Sequence, residues 1–379
     1  MMKQFSNHKN NMLYKEYCNL KIKQGVKMLK KSIVAVFCSL MLTATATYNA
    51  EAVSFKNKTV KVIVPSGSGG TYHVYCQIVQ RNIGRHIPGK PKTIIQNMSG
   101  AGGVKSANYM YHVAPKDGSV LAMLNPGASM VPLLRKGQKA IRFKTRDLNW
   151  LGTASVRTYT IAFWHKSPIK TVEDLTKKQA IMVTTGRSSM SYLIPHFINS
   201  VVGTKMKIIT GYKGGGALNL AIERGEGEGR GNFYSGFTGV RPDWIKDKKI
   251  RFILKLGPDR PEVKHVTHLR SLMKTDLERE MFDLLDINLQ VGQSFFLPPG
   301  VPKKIVKTMR KAFVNMANDP ITIADAKRRR VPWKTRTAEQ ITAQLDKGWK
   351  TSPKAINKLR QVLGFDKALK MKKKKKKKE

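Results

Sequence analysis

The chain has 379 residues, of which 41% are hydrophobic and 25% charged, an ordinary balance for a globular protein and a length sufficient for two domains. Its formal net charge of +46 would attract anions of any size. Two of the three cysteines, Cys18 and Cys38, lie in a predicted leader, so Cys76 remains alone and an intrachain disulfide is excluded.

The first 52 residues have the pattern of a leader and not of mature structure. Three lysines precede the short apolar run 33–42, and small residues then end at Ala52 in an A-x-A pattern. The run is about half of the ~20 residues that a membrane helix needs. We therefore predict a cleaved secretory signal peptide that starts at Met28, with cleavage after Ala52 and export of the mature protein.

Four β-branched runs each lead into a glycine-rich loop that opens a predicted helix. These are loop 1 (66–71), loop 2 (99–103), loop 3 (184–189) and loop 4 (211–216). Glycine lets the backbone approach a ligand closely, and the first turn of a helix offers unpaired N–H groups with a partial positive charge. Such helix termini bind anions. Two pairs of loops, separated along the chain, predict two lobes that share one small carboxylate ligand.

The remaining predicted elements alternate in type along the chain. Strand-like runs occupy 119–124 and 250–256, and a further apolar run occupies 287–297. Helical patterns fit 72–86, 104–113, 190–201, 217–224, 302–317 and 338–347. The last of these follows Thr337, which is a favourable N-cap residue. The alternation predicts an α/β fold with two lobes, each a mostly parallel sheet flanked by helices.

The predicted domain boundaries follow from the order of the loop pairs. A loop-rich stretch, 152–165, separates the first pair from the second, and a return crossing is expected near 290–299. We therefore predict a first lobe made of 53–155 plus 292–370, and a second lobe made of 156–291.

The high positive charge is compatible with nucleic-acid binding and with solvated, lysine-rich segments. Residues 371–379 form a lysine-rich tail, which we expect to be disordered and solvated. The chain has no zinc-finger spacing and no aromatic-rich RNA motif, and its basic residues are spread over every segment. We therefore predict no nucleic-acid partner. An exported protein that binds polyanions is the less favoured alternative.

The motifs of common enzyme classes are missing from the sequence. Loop 1 lacks the last glycine of the dinucleotide-binding motif, and no segment matches the phosphate-binding P-loop or the G-x-S-x-G nucleophile turn. His265 and His268 have no acidic or cysteine partners at metal-site spacing. His73, beside loop 1, either touches a ligand or caps the loop. We predict no enzymatic activity, no metal and no cofactor.

Several motifs, in a fixed order, resemble those of one known family. The matches are 62–71 with "VPxxxGGxxD", 96–103 with "xNxPGAGG", 114–118 with "APxDG", 211–216 with "xYKGGG", 298–302 with "PxGxP" and 318–320 with "DP". Together they resemble the extracytoplasmic substrate-binding receptors of tripartite tricarboxylate transporters, the TctC/Bug-like periplasmic binding proteins. The matches span most of residues 55–335.

The resemblance has departures that bear on the ligand. His73 stands where the family commonly has aspartate, and Gln77 stands where an arginine is common. Ser99 replaces the usual proline before Gly100. These changes leave the expected fold intact, but they leave the identity of the carboxylate open.

The resemblance implies a two-lobed, type II periplasmic-binding-protein fold of the Venus-flytrap kind. It implies a monomeric periplasmic receptor that closes on a small carboxylate and delivers it to integral-membrane transporter subunits. A sensor that presents the ligand to a signalling system is the alternative. By matched position, the expected ligand-binding residues are Gly69, Gly70, Thr71, His73, Asn97, Gly100, Ala101, Gly102, Gly186, Ser188, Ser189, Tyr212 and Gly214. Several of these glycines alternatively serve only to permit tight turns.

Overall fold

Two six-stranded sheets organise residues 53–366, the part of the chain that this computed structural model describes. The first sheet contains β1 (Thr59–Val64), β2 (Lys92–Asn97), β3 (Val120–Met123), β4 (Asn149–Thr153), β11 (Ser294–Leu297) and β12 (Arg336–Thr337). The second contains β5 (Tyr159–Trp164), β6 (Gln179–Val183), β7 (Lys205–Ile209), β8 (Gly229–Phe233), β9 (Ile250–Leu256) and β10 (Thr267–His268). The predicted leader, its cleavage site and the lysine-rich tail lie outside the described residues.

The strand order is β12-β4-β11-β3-β1-β2 in the first sheet and β10-β9-β5-β8-β6-β7 in the second. The strands β1, β2 and β3 pair in parallel, as do β6, β7 and β8. Strand β5 is antiparallel to both of its neighbours, and so is β11. Each of these two is the strand with which the chain enters a sheet after crossing from the other one. The predicted α/β class with two lobes is confirmed. Both sheets are mixed, and the first is not mostly parallel as expected, because three of its five described strand pairs are antiparallel.

Helices flank both sheets. They are α1 (Thr71–Ile83), α2 (Val104–His112), α3 (Val131–Leu134), α4 (Val172–Lys177), α5 (Met190–Val202), α6 (Gly215–Glu223), α7 (Tyr234–Thr238), α8 (Pro242–Lys246), α9 (Asp276–Val291), α10 (Lys303–Asn318), α11 (Pro320–Arg328), α12 (Ala338–Trp349) and α13 (Pro353–Val362). Within residues 53–366, none of them combines the length and the apolar character needed to cross a membrane.

Local sequence explains where the helices begin. The Thr337 hydroxyl accepts a hydrogen bond from the Gln340 N–H, and the Gln340 side chain accepts one from the Thr337 N–H. This capping box starts α12 at the predicted position. Helix α10 begins directly after Pro302, whose missing N–H costs nothing at a helix start.

Strand β1 is packed against apolar residues on both of its faces. Val62 and Val64 pack in one apolar cluster with Cys76 of α1 and Met309 of α10, whereas Ile63 points into the cluster on the opposite face. Side chains alternate between the two faces of a strand, so a continuous apolar run such as β1 needs cover on both sides. Cys76 is buried and free, which fits a packing role.

The two segments that cross between the sheets lie side by side. The Ala154 N–H donates to the Gln293 carbonyl at 3.0 Å, and the Gln293 N–H donates to the Ser155 carbonyl at 3.1 Å. Arg157 Nε donates to Gln293 Oε1 at 2.8 Å. The predicted lobe boundaries between residues 155 and 156 and between residues 291 and 292 fall in this paired region and stay predictions.

One predicted stretch is wrong in detail, and the structure divides an apolar run to which the sequence assigned no element type. The stretch 152–165 is not mostly loop, because it contains β5, in which the polar Thr160 is buried with its hydroxyl donating to the Asn232 carbonyl at 3.0 Å. The apolar run 287–297 is the end of α9 followed by β11. A short buried run does not reveal its own period, and Gly292 at φ +62° divides this one.

Candidate ligand-binding site

A cavity of about 260 Å³ lies where the four glycine loops converge. It is somewhat smaller than the roughly 300–1,000 Å³ that drug-sized ligands occupy, which suits a small acid. Nine of the thirteen residues predicted from the sequence contribute to its lining: Gly70, Thr71, Gly100, Ala101, Gly102, Gly186, Ser189, Tyr212 and Gly214. The structure therefore brings all four loops to one place.

Four helix N-termini end at this cavity without a side-chain cap. The residues before α1, α2, α5 and α6 are Gly70, Gly103, Ser189 and Gly214, and none of them forms a side-chain cap hydrogen bond. No acidic residue stands in the first turn of these helices. In contrast, α4, α9 and α12 lie away from the cavity and have full capping boxes. The cavity helices therefore offer their N-terminal charge and N–H groups to a ligand.

Loop 1 and loop 4 touch directly. The Gly67 N–H donates to the Lys213 carbonyl at 2.9 Å. A Cβ placed on Gly70 would lie 2.9 Å from the Gly215 nitrogen, closer than real Cβ contacts come. The absence of a side chain at Gly70 is therefore required by the contact between two loops that follow different sheets.

Loop 2 and loop 3 make an equally tight contact. A Cβ on Gly102 would lie 2.6 Å from the Ser189 nitrogen, and a Cβ on Gly186 would lie 2.5 Å from the Gly102 nitrogen. Gly102 also has a φ of +67°, which glycine adopts at little cost. The glycines therefore allow loops that follow different sheets to pack closely at the cavity. This role is distinct from the two predicted ones, close approach to a ligand and formation of tight turns.

Four predicted residues lie outside the cavity lining: Gly69, His73, Asn97 and Ser188. Ser188 accepts a hydrogen bond at 2.7 Å from Arg135 Nη1, which belongs to the segment after α3. Gly69 turns loop 1 at a φ of +70°. Their roles as ligand contacts stay predictions.

His73 and Asn97 lie next to loop 1 and outside the cavity lining. Asn97 Nδ2 donates to the Ser66 carbonyl at 2.8 Å and lies 3.0 Å from His73 Nδ1. The other ring nitrogen, His73 Nε2, lies 3.1 Å from Gln77 Nε2. Burial, together with the charge of Arg329, lowers the pKa of His73 below its ordinary value. Asn97 therefore connects His73 to loop 1 by hydrogen bonds.

Arg230 of β8 is the charged group in the cavity wall that sequence reasoning missed. The residue lines the cavity, although it is only 4% exposed. Nη1 donates to the Gly215 carbonyl at 2.9 Å and to Asn219 Oδ1, both neutral acceptors. Nε has no hydrogen-bond partner among the described residues. Burial lowers the pKa of Arg230 to about 10, which still leaves the guanidinium charged at neutral pH.

Two tyrosines, Tyr72 and Tyr159, also line the cavity. Tyr159 of β5 is 2% exposed, and its hydroxyl has no partner within the described part of the chain. Tyr72 of α1 donates to Asn125 Oδ1 at 3.4 Å. Burial raises the pKa of Tyr72 to about 12, so its hydroxyl stays protonated as a donor. Among residues 53–366, the lining contains no acidic side chain.

The strand that carries Arg230 was missed because glycines interrupt it. A Cβ on Gly229 would lie 2.7 Å from the Phe163 ring, and a Cβ on Gly231 would lie 2.3 Å from the Tyr159 hydroxyl. Aromatic side chains of β5 therefore occupy the space that these glycines leave, although glycine usually weakens a strand. The sequence signal that could have identified this position is Arg230 between two glycines, the second of which is followed two residues later by Phe233.

Solved structures of periplasmic binding proteins share this fold. The structure of the periplasmic binding protein BugD matches with a TM-score of 0.64 at 15% identity, covering 80% of this chain and 97% of that one. MatC from Rhodopseudomonas palustris with bound malate matches with a TM-score of 0.62 at 18% identity, covering 81% of this chain and 99% of that one. At such identities the similarity shows a common two-lobed fold.

Sequence similarity points to the same group. A curated UPF0065 protein of Bordetella bronchiseptica is 23% identical over 170 residues, which is 44% of this chain and 50% of that protein. The chain thus spans about half the length of the curated relatives it matches. No protein-family model matches the chain. The resemblance to the TctC/Bug-like periplasmic binding proteins, predicted from the motifs, is confirmed by these similarities.

Proposed function

We propose that this chain belongs to the TctC/Bug-like receptors and captures a small carboxylate in the cavity between its two sheets. The observation that carries the proposal is the convergence of four uncapped helix N-termini on one small cavity that no acidic side chain lines within residues 53–366. Each terminus contributes a partial positive charge and free N–H donors, the groups that bind a carboxylate.

Binding uses the loop backbones and closure of the lobes. The ligand's oxygens accept hydrogen bonds from N–H groups of the loops and from the hydroxyl of Thr71, which lines the cavity. The close contacts of Gly70 with Gly215 and of Gly102 with Gly186 then seal the site. A hinge in the paired crossing segments allows the lobes to open and close. MatC, which shares the fold, was solved with malate, a small carboxylate.

The wider setting of the receptor is proposed on the same basis. The predicted signal peptide directs the chain to the periplasm, where the monomeric receptor delivers its ligand to integral-membrane subunits of a tripartite tricarboxylate-type transporter. The neighbours in structure are binding proteins, and we propose that this chain, too, performs no catalysis.

Isothermal titration calorimetry with a panel of small mono-, di- and tricarboxylates tests the proposal. We expect at least one acid to bind with one-site stoichiometry, and the acid recovered after denaturation to be chemically unchanged. Conversion of the acid would indicate an enzyme. Weak binding of every anion that vanishes with added salt would indicate a polyanion-binding surface.

A further inference from the structure

A chain of polar contacts runs from the end of α11 to loop 1. Arg329, directly after α11, donates from Nη1 to Gln77 Oε1 at 3.1 Å. Gln77 Nε2 lies 3.1 Å from His73 Nε2, and both residues are on α1. On the other side of the ring, His73 Nδ1 lies 3.0 Å from Asn97 Nδ2 at the end of β2. Asn97 Nδ2 also donates to the Ser66 carbonyl at 2.8 Å, and Ser66 lines the ligand cavity.

The outer contacts fix which way the two amides face. Gln77 Oε1 accepts from the Arg329 guanidinium, which has no acceptor atom, so the NH₂ group of Gln77 is turned toward His73. The NH₂ group of Asn97 gives one hydrogen to the Ser66 carbonyl and has its second hydrogen left for His73 Nδ1. Both ring nitrogens of His73 therefore face amide donors.

These surroundings favour the uncharged form of His73. Neutral imidazole accepts a hydrogen bond at one nitrogen, whereas imidazolium has two N–H groups and accepts none. Arg329, itself paired with Asp325, is the charged group that acts on the ring, and its field adds to burial in lowering the pKa of His73. A hydrogen bond from a protonated ring to Asn97 would act the other way, but it needs the amide oxygen, which the bond to Ser66 turns away.

Protonation of the ring acts on loop 1 through Asn97. To accept from a new N–H at Nδ1, the Asn97 amide must turn round, which sets its oxygen against the Ser66 carbonyl. If the amide does not turn, its NH₂ group is repelled by the ring N–H, so the bond to Ser66 is strained or lost in either case. The next residue, Gly67, donates to the Lys213 carbonyl at 2.9 Å. Displacement of Ser66 therefore disturbs both loop 1 and its contact with loop 4.

We propose that neutral His73 is a positioning residue of the ligand site, which holds loop 1 through Asn97, and that uptake of a proton by its ring releases the loop and weakens acid capture. This inference rests on the proposed receptor function and adds a pH-dependent control to it. Direct contact with the ligand would have the opposite sign, because a protonated histidine that touched a carboxylate would strengthen binding.

Calorimetry of the full mature chain between pH 8 and pH 5 measures the effect, with pyruvate, succinate, malate and citrate as probes. His73→Leu removes the ring acceptor, and the ratio of wild-type to variant affinity at each pH cancels the ionisation of the acid itself. We expect wild type to bind about three- to tenfold more tightly at pH 7.5, the equivalent of one hydrogen bond. The two affinities should converge as the pH falls below about 6.5.

Three further variants assign the effect, and melting temperatures at pH 7.5 check that each is folded. His73→Asn offers an acceptor oxygen in place of Nδ1 and cannot titrate, so it should recover most of the affinity that His73→Leu loses and keep it at low pH. Asn97→Ala should weaken binding as much as His73→Leu, and the double variant should be no weaker, because the two residues act in series. His196→Asn changes another histidine with a lowered pKa, on α5, and should preserve the wild-type pH profile.

Two results would overturn the inference and leave the receptor function standing. One is an affinity ratio of wild type to His73→Leu that stays constant from pH 8 to pH 5, or a His73→Asn protein that retains the wild-type pH profile. The other is a ratio that rises as the pH falls, which would indicate direct contact between the His73 ring and the ligand. If no acid binds wild-type protein at any pH, the receptor function itself fails, and the positioning role with it.

Discussion

Replacement of Gly186 by alanine is expected to prevent closure while leaving each lobe folded. The new Cβ would lie 2.5 Å from the Gly102 nitrogen and 2.9 Å from the Ala101 carbonyl carbon, both in loop 2 of the opposite side. Real Cβ contacts stay beyond about 3.0 Å, so the loops must separate by roughly 0.5–1 Å. Gly186 does not have a positive φ, so the alanine adds no backbone strain of its own.

The separation of loops 2 and 3 is expected to weaken ligand binding. Loops 2 and 3 would no longer hold the carboxylate at hydrogen-bonding distance, and each charge-assisted hydrogen bond lost costs roughly 1.5–3 kcal/mol. We expect Gly186→Ala to weaken the binding of the best acid by at least about tenfold in calorimetry. The melting temperature without ligand should change by only a few degrees, because the clash is relieved when the lobes open.

Gly203→Ala provides the opposite control. Gly203 ends α5 at a φ of +80°, and no atom lies within 4 Å of an added Cβ. The alanine should cost about 1 kcal/mol of stability through backbone strain and should leave affinity unchanged. A folded Gly186→Ala protein with wild-type affinity would show that contact between loops 2 and 3 is not needed for binding.

Gly70→Val should abolish binding in a protein with a native circular dichroism spectrum, because the side chain meets Gly215 across the cavity. Burial and the charge of Arg329 lower the pKa of His73, so the unfolded chain binds the His73 proton more readily than the folded chain does. The free energy of unfolding should therefore fall as the pH drops below about 6.5, and His73→Asn should lessen that fall in thermal melts. Removal of residues 370–379, or about 0.5 M salt, should change acid affinity by less than about threefold in calorimetry, because bulk charge is screened and cavity contacts are not; a collapse would favour a polyanion-binding surface.

The sequence predicted the loops well because their signals are local. A β-branched run, a glycine cluster and a helix start follow one another within about a dozen residues, and nine residues taken from those loops line the cavity. The reason for the glycines was not accessible from sequence. Gly70 and Gly102 are needed because backbones distant in sequence meet there, which depends on how the two lobes pack.

The place of Arg230 in the cavity wall could not be predicted from the sequence, because it too depends on contacts between segments that are distant in the chain. Arg230 lies on a strand whose glycines are explained only by Phe163 and Tyr159 on a paired strand. His73 was expected among the ligand-binding residues from its matched position in the family, and its ring lies 3.0 Å from Asn97; its contact with the ligand stays a prediction.

Native mass spectrometry of the protein purified from its own periplasm tests the central claim most directly. We predict a mature chain that starts at Val53 and carries one small acid, which leaves on denaturation with its mass unchanged. A protein that carries no small acid and binds none when titrated, or one that retains a large polyanion instead, would contradict the account.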